Sequence, residues 1–141
     1  MAILAEEVRN IFKDLESGQG EGFFARVADN VDWTVEGTHP LAGHYTSKAS
    51  FLAGTFEKLA KVLPNGAQLH VTHLLLSGEW AVVELKSLAT AKNGLRFDND
   101  YCWVCRFENR MIVEVHAYLD SALVAQLFQE NPIEHYPSRA A

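Results

Sequence analysis

The chain has 141 residues, 48% hydrophobic and 21% charged, with a formal net charge of −6. That length suits one domain, expected over 1–141, which can bury a continuous core without disulfide or metal staples. No stretch approaches the roughly 20 apolar residues of a membrane helix, and no Lys/Arg cluster offers a footprint for phosphate backbones. The opening Met1-Ala-Ile-Leu-Ala-Glu-Glu lacks the basic start, apolar run and cleavage site of a secretory signal. Membrane and nucleic acid are therefore excluded as expected partners, and a cytoplasmic location is expected.

Residues 3–15 space Ile3, Leu4, Val8, Ile11, Phe12 and Leu15 as an amphipathic helix, which Ser17-Gly-Gln-Gly-Glu-Gly ends. A second short helix is predicted over 21–28. Val31, Trp33 and Val35 alternate along a first strand, followed by the turn-rich stretch from Gly37 to Gly43. Ser47 suits the N-cap of a helix over 48–63, stopped by Pro64-Asn-Gly66. Four strand-like runs follow, 68–76, 80–91, 95–108 and 111–119, separated by turns short enough for an antiparallel meander. Asp120 directly precedes a last helix over 121–130 and suits its N-cap, while 132–141 reads as a polar tail. Helices first and strands afterwards give an α+β fold.

Cys102-Trp-Val-Cys105 matches a redox pattern as text, but its aromatic and β-branched flanks make a strand that points the two thiols to opposite faces. Two unpaired thiols are expected. The six histidines show no metal-ligand spacing, and no glycine loop for phosphate is present, so neither metal nor nucleotide cofactor is expected. His70 and His73, three apart in a strand, should face opposite ways. Phe97, Asn99, Tyr101, Trp103, Cys105 and Phe107 share one strand face, an aromatic row whose lone amide needs a partner. Along 80–91, the face of Trp80, Val82, Glu84, Lys86 and Leu88 carries two charges, and the opposite face is uncharged.

In this order of elements, Trp33-Thr-Val-Glu-Gly-Thr-His-Pro-Leu-Ala-Gly43, Phe97-Asp-Asn-Asp-Tyr101 and Val113-Glu-Val-His-Ala-Tyr-Leu-Asp120 resemble a known family. It is the SnoaL-like, ketosteroid isomerase-like branch of the nuclear transport factor two-like (NTF2-like, cystatin-like) superfamily. The resemblance covers about residues 5–130. It implies a cone-shaped, strongly curved mixed β-sheet wrapped around the N-terminal helices, with an internal pocket and a homodimer formed through the outer face of the sheet. The isomerases' catalytic acids fall at or beside Gly37 and at Trp103, and the polyketide cyclases' aspartate falls close to Trp103, so those roles do not transfer. The epoxide hydrolases' charged pair falls at Glu84 and Lys86, with its third member at Ala117.

Glu84 and Lys86 are thus the candidate catalytic pair. Inside a desolvated pocket the carboxylate could act as general base and the ammonium could stabilise an oxyanion. On the outer face the same pair is a rim or interface ion pair worth about 0 to 1 kcal/mol. Trp33, Leu88, Asn99, Tyr101, Trp103 and Leu119 are the candidate substrate-binding residues, the resemblance placing Asn99, Tyr101, Trp103 and Leu119 inside. His116 is placed outside. The expected ligand is a small hydrophobic molecule. The expected function is general acid/base chemistry of isomerase, cyclase or hydrolase type, or else non-catalytic binding by a dimeric module.

Overall fold

The computed structural model describes residues 2–17 and 20–133. Helix α1 (Ala5–Glu16) turns Val8, Ile11, Phe12 and Leu15 inward, and the short α2 (Gly20–Phe24) adds Phe23 and Phe24. Strand β1 (Val27–Val35) follows directly, four residues earlier than the alternation suggests, because a register irregularity between Val27 and Asp32 hides its first half. The three-residue β2 (Gly43–Tyr45) lies beyond the expected turn. One helix was expected over 48–63; it is broken into α3 (Lys48–Gly54) and α4 (Phe56–Val62) at Thr55, with φ −130° and ψ −82°. Strands β3 (Leu69–Ser77), β4 (Trp80–Ser87), β5 (Asp100–Glu108) and β6 (Met111–Leu119) form the meander, and α5 (Ser121–Glu130) is the last element among the described residues.

All six strands belong to one sheet of order β2-β1-β6-β5-β4-β3. Every neighbouring pair is antiparallel except β1 and β6, which run parallel, so the sheet is mixed. Its inner face takes alternate residues: Ala81, Val83, Leu85 and Ser87 of β4, Tyr101, Trp103, Cys105 and Phe107 of β5, and Val115 and Ala117 of β6 are all buried. This is the period of two expected of a sheet covered on one side by helices. The hairpin from β5 to β6 turns on Asn109 and Arg110, both at positive φ, which matches the right-handed twist of the flanking strands.

Two apolar clusters fill the inside. The larger joins α1, α2 and the sheet, including Phe12, Phe23, Trp33, Phe51, Tyr101 and Trp103. The smaller gathers Leu41, Leu59, Val62, Leu63, Phe97, Val124 and Leu127 around α4 and α5. Ile133 is buried in it, although the tail was expected to be polar from residue 132. The rest of that tail, 134–141, lies outside the described residues, as do Gly18 and Gln19 of the first turn. Among the described residues no helix is long and apolar enough to cross a membrane.

Candidate functional site

A cavity lies at the seam between the two clusters, walled by side chains from both. Trp33, Val35, Phe51, Tyr101, Trp103 and Ala117 contribute from the larger cluster, and Leu41, Leu59, Phe97 and Val124 from the smaller. Thr55, at the break between α3 and α4, and Leu119 complete much of the wall. The space between atoms totals about 450 Å³ including its opening, but only about 30 Å³ admits the centre of a water-sized sphere. The second figure decides what the closed structure holds: a water or two, since one needs roughly 10–15 Å³ on that measure. A larger guest must part apolar side chains along the seam.

Aromatic rings fix the wall. Trp33 stacks on Phe51 with centroids 3.8 Å apart and planes 21° off parallel, and meets Trp103 edge-on at 5.2 Å and 81°. Tyr101 stands edge-on to Trp103 at 6.4 Å. Polar atoms at the wall are few. Thr55 donates its hydroxyl to the Phe51 carbonyl at 2.7 Å. Tyr101 directs its phenol at the Ser87 hydroxyl, 3.4 Å away, and burial pushes its pKa up to about 12, so it stays protonated at neutral pH. The Trp33 indole N–H is buried without a partner. Among the described residues no carboxylate, ammonium or imidazole lines the space.

The expected binding residues divide. Trp33, Tyr101, Trp103 and Leu119 line the cavity. Asn99 is fully buried on the same strand face, but its amide is taken up elsewhere: Oδ1 accepts from the Asp120 N–H at 3.0 Å and Nδ2 donates to the Asp120 carbonyl at 3.3 Å. Leu88 is 55% exposed and does not line the cavity.

Glu84 and Lys86 also lie outside the cavity. Alternation along β4 sends Val83, Leu85 and Ser87 inward, so Glu84 and Lys86 fall on the outer face. There Glu84 faces His73 at 3.4 Å and Lys86 pairs with Asp100 at 3.0 Å, all four side chains well exposed. Their joint role as an internal base and oxyanion partner is corrected accordingly.

His70 and His73 do not divide between faces either. A bulge between Val71 and His73 absorbs one residue, so His70 opposes Lys86 and His73 opposes Glu84, both on the outside. His116 lies outside as expected, 2.7 Å from Glu114 and stacked against Trp80. Both cysteines are free thiols, with Cys105 buried and raised in pKa by that burial.

Sequence reasoning missed Phe51, Thr55 and the α5 residue Val124 as wall residues, whereas Ala117 lines the cavity on the strand face that the family resemblance turns toward the pocket. Phe51 and Val124 carried a signal, their helical periodicity, but periodicity does not separate a cavity wall from a filled core.

Known proteins share this architecture. An NTF2-like protein from Burkholderia thailandensis E264 superposes with a TM-score of 0.75 at 22% identity, covering 88% of this chain and 95% of that one. TerC, crystallised with polyporic acid, gives a TM-score of 0.70 at 18% identity, covering 88% of this chain and 96% of its own. Both likenesses are of fold. In sequence, the dimerizing cyclase phiC from Fungal sp. (strain ATCC 74256) is 28% identical over 130 residues, 89% of this chain. The chain spans only 57% of that relative's length. The model of the SnoaL-like domain matches residues 8–115, most of the described fold, and the chain therefore belongs to the SnoaL-like family.

Proposed function

We propose that the seam cavity binds a small, flat, mainly apolar molecule and that the domain promotes a cyclase-type rearrangement of it by confinement. The observation that carries this reading is the wall itself, aromatic on several sides and, among the described residues, free of ionised groups. Such a wall favours a conjugated body and offers no strong base. What remains is positioning, which by holding reacting atoms together can lower a barrier by about 7 to 11 kcal/mol in the best cases. The likeness to phiC supports the reaction class, and TerC's crystallisation with polyporic acid supports a small organic guest for this fold.

The same lack of an ionised group favours a second reading, a module that binds without transforming. The two separate on product. Trp33 and Trp103 both line the cavity, so titrating bicyclic aromatic ketones should shift tryptophan emission saturably, and Ala117→Leu should abolish the shift. No saturable change across such a panel would sink the binding reading. Mass spectrometry of a bound polyunsaturated ketone after incubation then decides between them. A product of unchanged mass and new retention time marks the cyclase, and unaltered ligand marks the binder.

We also propose a homodimer through the outer face. Val82 faces Leu75 and Val104 across the sheet, and half-buried Trp80 lies beside them under Arg106, an apolar strip rimmed by charge. Sedimentation as a monomer at micromolar concentration would remove it.

A further inference from the structure

We propose that the Trp33 indole N–H is the polar anchor of the cavity, donating a hydrogen bond to a carbonyl oxygen of the bound molecule. The inference rests on the cavity reading above and narrows it. The site then selects flat molecules carrying a carbonyl oxygen over hydrocarbons of the same shape.

Trp33 is 0% exposed, and its Nε1 is, among the described residues, the buried side-chain polar atom left without a partner. Buried polar groups are nearly always paired, and an orphan bears the full cost of its lost hydration. Its polar neighbours do not share that condition. Thr55 and Tyr101 each direct a hydroxyl at a protein oxygen. His39, buried near the same wall residue Leu41, accepts the Leu41 N–H at Nδ1 and bonds the Glu36 carbonyl through Nε2.

The indole cannot swing away to find an acceptor, because Phe51 holds one face and Trp103 abuts it edge-on. The donor is therefore fixed before a ligand arrives, which lowers the ordering cost of binding. An aromatic face such as that of Trp103 is at best a weak acceptor for N–H. A water in the small free space would look to Trp33, Tyr101 and Thr55 for its bonds, two of them already engaged. A carbonyl oxygen replaces that water and leaves the rest of the ligand against apolar wall.

The test uses the full chain, with its indole nitrogens labelled, titrated separately with 1-indanone and with indane, which differ by one carbonyl. Trp33→Phe assigns the Trp33 signal. Indanone should bind about tenfold more tightly, equivalent to about 1.4 kcal/mol. It should also move the Trp33 indole N–H downfield, whereas indane should perturb ring signals alone. In Trp33→Phe the two affinities should converge, and the wild-type comparison stands even if that variant folds poorly. Equal binding of both probes with an unmoved Trp33 N–H overturns the anchor and leaves the cavity reading intact. If neither probe perturbs any cavity signal, the cavity reading falls and the anchor falls with it.

Discussion

Asn99 sits in a row of aromatics, where alternation alone says that its amide must be paired. The need was legible; the partner was not, because the Asp120 backbone lies 21 residues away in sequence. Asn99 ties the start of β5 to the residue that caps α5. Asn99→Leu strips the Asp120 N–H of its acceptor inside the protein. The expected loss is about 1–3 kcal/mol in urea unfolding. Asp120 itself accepts the Leu123 N–H at 3.2 Å, so Asp120→Ala should cost about 0.5–2 kcal/mol and Asp120→Asn much less. Tyr101 makes a different claim. The folded protein keeps its phenol proton to about pH 12, whereas an unfolded tyrosine releases it near 10. The folded state thus binds more protons between those values, and stability should fall as pH rises through them. Tyr101→Phe should flatten that part of the stability curve, as denaturant titrations at stepped alkaline pH would reveal.

Elements were legible where their period ran unbroken and were misread where one residue disturbed it. Strand β6 and helix α5 occupy the spans their patterns indicate, 111–119 and 121–130. In β3 the bulge after Val71 turns His73 to the same side as His70, which no count of alternation can foresee. In β4 alternation showed that Glu84 and Lys86 share a face but not which face is buried; the uncharged set of Ala81, Val83, Leu85 and Ser87 is the buried one. The register borrowed from the epoxide hydrolases pointed the other way. The helix break at Thr55 shows the same limit, since the helical spacing of Phe51, Leu52, Phe56 and Leu59 runs straight through it. Gly54 faces Tyr45, and a Cβ there would come within 2.5 Å of the Tyr45 ring. Tyr45 is itself held by its bond to the Leu41 carbonyl at 2.9 Å. Gly54→Ala must push the ring or the helix aside. It should lower stability by about 1–3 kcal/mol, read as a drop in melting temperature.

At the scale of the whole molecule, the seam between two clusters separates this fold from one with a single closed core. A sheet curved over α1 and α2 packs tightly at that end, with Phe12, Phe23 and Ile112 fully buried, while α4 and α5 close the other end with their own cluster. Where the two meet, packing is incomplete, and Ala117 is the small residue that leaves room. Its strand neighbours across the ladder are Val35 and Trp103, both of them wall residues. Ala81 is the natural comparison, an alanine on the same inner face, also buried, but away from the cavity. Adding three carbons at Ala81 must displace a packed core, so Ala81→Leu should cost about 1–3 kcal/mol and leave ketone binding in place. The same carbons at Ala117 start from room for a water or two and part the loosely packed seam for the rest. Ala117→Leu should therefore cost less stability than Ala81→Leu, by urea unfolding, while abolishing the tryptophan emission shift. Equal destabilisation at both alanines would mean that the seam is as tightly packed as the rest of the core, and the cavity would lose its standing as a site.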